Sequence, residues 1–111
     1  MEQVTLYHQS DERIIIHIWA YLSEGKLVIA GQDLDHGGNT VSAIWGSNEH
    51  EYFYSISPED TQKLHLLLKE ETRIEKDLLF LVGRYFGGVD ACKLFREFCA
   101  RHDMEVGFHS F

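Results

Sequence analysis

The stretch Arg13–Leu34, RIIIHIWAYLSEGKLVIAGQDL, leaves this chain few ways to fold. Ile14, Ile16, Ile18, Ala20 and Leu22 alternate with Ile15, His17, Trp19 and Tyr21, the period of two that marks an extended strand. Glu24-Gly25 follows, and glycine there allows the positive φ of a tight hairpin turn. Pairing Ser23 with Lys26 sets Leu22 against Leu27, Ala20 against Ile29 and Ile18 against Gly31. The other face then pairs Tyr21 with Val28 and Trp19 with Ala30. Both faces come out largely apolar in one register, so the stretch is expected to be a central hairpin covered by helices on at least one side.

The rest of the chain supplies those helices. Val4–Tyr7 suggests a short first strand, and Ser10-Asp11-Glu12 a turn. Asp35-His36-Gly37-Gly38-Asn39 has the composition of a loop. Val41–Trp45 reads as a strand and His50–Ile56 as another, with Tyr52, Tyr54 and Ile56 on one face of the latter. Ser57-Pro58-Glu59-Asp60 is a helix start: an N-cap serine, a proline at the first turn and two acids at the positive end of the dipole. That helix is expected from Pro58 to about Lys69, with Leu64, Leu67 and Leu68 inward. Glu70-Glu71-Thr72 then reads as a break. A second helix is expected over about Arg73–Phe86, buried on two sides and ended by Gly87-Gly88. A third, capped by Asp90, is expected to run to about His102 with Ala91, Leu94, Phe95, Phe98 and Cys99 inward. Met104–Phe108 alternates and suggests a closing strand. Strands followed by helices argue for an α+β fold, an antiparallel sheet with two to three helices on one face.

Length and composition fit one domain over residues 1–111. No apolar run approaches the roughly 20 residues of a membrane span. The beginning MEQVTLYHQSDER has no basic region followed by an apolar one, so a signal peptide is not expected and a cytoplasmic location is. Cys92 and Cys99 are seven apart on one expected helix, too far for a disulfide and at no zinc spacing, which suits core residues of a reducing compartment.

Charge is unevenly placed. The net charge is −8, and residues 1–62 hold ten acids against two bases while residues 63–111 hold eight of each. The whole excess therefore lies in the strand-rich half. Such a surface repels nucleic acid phosphate and attracts a basic protein. Tyr7, Trp19, Tyr21, Trp45, Tyr52 and Tyr54 are interleaved with these acids, and tyrosine and tryptophan dominate binding hot spots. Some of these rings must pair across strands in the core. Those facing solvent, ringed by Glu24, Asp33, Asp35, Glu49 and Glu51, would suit a basic partner.

Catalytic readings carry less. His17 lies mid-strand beside aromatics, and an acid–base pair with His109 would resemble the chemistry of metal-independent ribonucleases. No lysine or arginine adjoins either one, so a phosphorane would find little stabilisation there. Asp33, Asp35 and His36 offer oxygen and imidazole ligands within four positions, yet match no calcium loop. Gly37-Gly38 opens no helix and lacks a lysine, so it is a poor phosphate loop. Cys92, near a helix start that would lower its pKa, is a candidate thiolate but more simply a packing residue. No structural metal, cofactor or catalytic residue is therefore expected. The alternative to a binding protein is a small hydrolase or nuclease using His17 with His109, or the Asp33–His36 loop.

The stretches EGKLVIAGQDL, EYFYSISPEDTQKLHLLLKE and KLFREFCARHDMEVGFHSF give the chain its resemblance to the small acidic immunity proteins of bacterial toxin systems, contact-dependent inhibition among them. The likeness is one of overall pattern, so no residue's role is carried over from it. It implies a non-catalytic protein that binds a cognate toxin domain, such as a nuclease, and blocks its substrate groove with carboxylates.

Overall fold

The computed structural model describes residues 2–12, 14–35 and 49–110; Val41–Trp45 and the loop from His36 lie outside the described residues. Five strands form one antiparallel sheet in sequence order: β1 Gln3–Ser10, β2 Ile14–Ser23, β3 Lys26–Asp35, β4 Glu49–Ser55 and β5 Gly107–Ser110. Three helices among the described residues, α1 Pro58–Thr72, α2 Leu78–Phe86 and α3 Ala91–Arg101, come between β4 and β5. The fold is α+β, with the helices packed on the sheet.

The hairpin has the expected register, from Ser23–Lys26 through Trp19–Ala30 to Ile14–Asp35. Its turn residues Glu24 and Gly25 have φ of 53° and 79°, the left-handed pair that a type I′ turn demands. β3 is the middle strand, flanked by β2 and β4. Ile18, Ala20, Leu27 and Ile29 face the helices and join Leu64, Leu68, Leu81, Val82, Phe86, Phe95 and Phe98 in the core. Three phenylalanines at its centre, Phe86, Phe95 and Phe98, meet edge to face, with Phe86 centroids 5.7 Å and 5.6 Å from the other two.

β1 is longer than expected and is not regular. Between Thr5 and Tyr7 its register against β2 shifts by one residue at Leu6. This bulge lets consecutive residues serve the helix side: Leu6 is buried in the core and Tyr7 packs against it. The Leu6 carbonyl accepts the Gly88 N–H at 2.8 Å, tying the end of α2 to the bulge.

The helix boundaries differ from expectation at three places. Glu70-Glu71-Thr72 does not break α1, which runs through Thr72 and stops at a left-handed Arg73 whose N–H reaches the Lys69 carbonyl. Residues 73–77 are consequently not helical; Ile74 still packs on the core, and His65 Nε2 donates to the Lys76 carbonyl at 2.9 Å. α2 instead starts after Asp77, whose carboxylate accepts the Phe80 N–H at 2.8 Å. Asp90 occupies the N-cap position of α3 without making a capping hydrogen bond. Leu94, expected inward, is 40% exposed, and the last strand begins at Gly107 rather than Met104. Met104 is buried instead, fixed by its N–H to the Cys99 carbonyl at 2.8 Å. The Ser57 cap is as expected, with its hydroxyl accepting the Asp60 N–H at 3.1 Å.

Two stability predictions follow from the hairpin. Glu24 sits in a left-handed conformation that costs an ordinary residue roughly 1–2 kcal/mol. Glu24→Asn should raise stability by about 0.5–1 kcal/mol, since asparagine tolerates this geometry before glycine. Gly31 lies under the Tyr52 ring, and a Cβ there would overlap the tyrosine Cζ. Gly31→Ala should destabilise by about 1–3 kcal/mol. The same substitution in a Tyr52→Ala background should cost much less, and urea unfolding of the four proteins reads the coupling.

Candidate functional site

The sheet has two unlike faces. The core cluster takes Ile18, Ala20, Leu27 and Ile29 from one face, and none of Ile15, His17, Trp19, Tyr21, Val28 or Ala30 from the other. Among the described residues no helix packs on that second face. Its residues form cross-strand rows fixed by register. One row runs Thr5, Trp19, Ala30, Phe53, His109; the next runs His8, His17, Gln32, Glu51. Ala30 lies between Trp19 and Phe53 and has no exposed surface. Trp19 and His17 stack at 4.6 Å and 26°, and His8 meets His17 edge-on at 5.7 Å.

Four of the acids expected to bind a partner gather at one end of the sheet. Asp33 pairs with His50, Gln32 with Glu51 and Leu34 with Glu49, while Asp35 closes β3 opposite Ile14. Glu24 is not with them. It marks the opposite end of β3, roughly 25 Å away at the rise of an extended strand. The aromatic candidates also divide. Trp19 and Tyr21 lie on the helix-free face, half-buried. Tyr52 lies on the helix side, over Gly31, and Trp45 is outside the described residues. Sequence alternation placed each ring on a face; only the packing of α3 shows which of the two faces is covered.

On the helix side, His50, Tyr52, Tyr54 and Phe108 make an aromatic row, with Tyr54 and Phe108 centroids 4.9 Å apart. Arg96 of α3 lies over Tyr54 at 5.3 Å, and Cys92 one turn earlier meets Tyr52. The helix start does not activate this thiol. Burial pushes Cys92 upward, against the Arg96 charge and the Tyr52 hydrogen bond that favour thiolate, with Asp33 adding to the rise. Burial pushes the Tyr52 phenol up as well, helped by Cys92 and Asp33. Cys99 is buried in the core and raised to about 12 by burial and by Asp60. Both cysteines are free, as packing residues would be.

His17 and His109 share a face but not a neighbourhood. β3 and β4 stand between their strands, a separation of roughly 14 Å at the usual strand spacing. An acid–base pair acting on one phosphate needs both groups within hydrogen-bond reach of it. Asp33 and Asp35 belong to a strand rather than a loop, and His36 is outside the described residues. No group of three or more metal-ligating side chains occurs among the described residues, and no helix there is long and apolar enough to cross a membrane. No protein-family model, curated protein or solved structure matches the chain.

His17 carries a pH dependence with a definite sign. Burial and the facing His8 lower its pKa below the ordinary value of 6.5. The folded state therefore resists protonation that the unfolded chain accepts. The stability this group contributes is present above about pH 6.5 and is lost as pH falls through its lower folded value. Thermal melts between pH 7.5 and 5 should show wild type losing more stability than His17→Gln, with the two curves converging at the acid end relative to neutral pH.

Proposed function

We propose that the chain is a non-catalytic protein-binding module, an immunity protein that neutralises a cognate bacterial toxin by meeting a basic domain of it. The observation that supports this most is the sheet register, which gathers Asp33, Asp35, Glu49 and Glu51 at one end of the sheet whose helix-free face carries Trp19 and Tyr21. Carboxylates at that end stand in for the phosphates that a nuclease groove holds. The stacked and half-buried Trp19 supplies an anchor with little rotamer entropy to lose. Acids steer the encounter and the ring holds the complex, so the two should act on different rate constants.

Once the partner is isolated, binding kinetics against salt test the reading. Steering of this kind raises association by roughly 10- to 1000-fold and fades as salt rises. Asp33→Asn with Asp35→Asn should slow association and flatten its salt dependence. Trp19→Ala should speed dissociation and cost about 2 kcal/mol or more. An acidic partner, or association indifferent to both salt and the double substitution, would remove the acidic-surface reading.

A further inference from the structure

We propose that His8 and His17 form a two-imidazole chelate for an exchangeable transition-metal dication of the nickel, copper and zinc group. The bulge in β1 creates the juxtaposition. Before it, Val4 pairs with Ala20 and Thr5 with Trp19; continued without a shift, that register would set Tyr7 against His17 and send His8 to the helix side opposite Ile16. The extra residue at Leu6 instead brings His8 directly opposite His17 on the helix-free face. Bulges commonly re-aim a side chain in this way.

The spacing suits a shared ion. Directly opposed residues hold their Cβ atoms about 4.5–5.5 Å apart. Two imidazoles bound to one metal at about 2.0–2.1 Å per nitrogen have ring centroids roughly 5–6 Å apart. The two rings stand at 5.7 Å, within that range, and His8 is exposed. His17 is already oriented by its stack on Trp19. Water completes the coordination shell, so the ion exchanges with solvent, and copper should bind most tightly by the order common to nitrogen sites. The chelate does not depend on the acidic-surface reading or on any partner.

The test is titration of the full chain with Cu²⁺ alone at pH 7.5. Tryptophan emission is followed in a Trp45→Phe background, which leaves Trp19 as the sole tryptophan of the two, and wild-type copper spectra by electron paramagnetic resonance count the bound nitrogens. One saturable equivalent that quenches Trp19 and shows imidazole nitrogen coordination is expected. His8→Gln or His17→Gln should each weaken it by at least the tenfold or so that losing even an outer-shell partner costs a metal site. His65→Gln should leave it unchanged. Absence of a saturable equivalent, or equal affinity in His8→Gln, overturns the proposal. His8 is exposed, so His8→Gln, checked for an unchanged circular dichroism spectrum, decides alone if His17→Gln does not fold.

Discussion

The left-handed pair at Glu24 and Gly25 decides which side of the sheet every residue of β2 and β3 occupies. A slip of one residue would exchange the two faces. Because both faces of this hairpin are rich in apolar residues, alternation alone would not resist the exchange. Size does. Ala20 is fully buried and Gly31 lies against the Tyr52 ring, so a slip that put Trp19 in the place of Ala20, or Gln32 in the place of Gly31, would find no room. The turn and the small residues agree on one register, and the core, the helix-free face and the acidic end all follow from it.

The hairpin was fully legible because three independent signals coincide over Arg13–Leu34: alternation, turn chemistry and matched side-chain size. The start of α1 was legible for a similar reason, since Ser57, Pro58, Glu59 and Asp60 each favour the same event. Where only one signal exists, reading the chain fails. Glu70-Glu71-Thr72 is polar, but polarity does not stop a helix whose exposed side it occupies; the left-handed Arg73 does. Asp77 and Asp90 look alike as caps, yet only Asp77 has its carboxylate on a backbone N–H. The bulge at Leu6 has no local signature at all, because no glycine marks it and its cause is tertiary: a core place for Leu6 and a donor, Gly88, for its carbonyl.

The candidate site divides along the same line. The excess of acid in the first 62 residues is a property of composition and was plain to see. Its concentration at one end comes from the β3–β4 register, which brings Glu49 and Glu51 alongside Asp33 across a stretch of chain that sequence spacing does not bridge. Tyr52 shows the limit from the other side. It belongs to the same aromatic family as Trp19 and Tyr21, but its position opposite Gly31 gives it a slot under α3 and the half-buried Cys92 thiol for company.

Thr61 is the one buried polar side chain among the described residues. Its hydroxyl oxygen accepts the Leu27 N–H at 2.9 Å, and the Leu27 carbonyl accepts from Ile56 at 3.2 Å. β4 has ended at Ser55, so the Leu27 amide, the second of β3, would otherwise face the interior with nothing to bond. A residue at 61 without that oxygen, with α1 still in place, would strand the donor at a cost of about 1–3 kcal/mol. One hydrogen bond thus joins the strand half to the helical half of the chain, so different in charge, at the place where β4 no longer reaches.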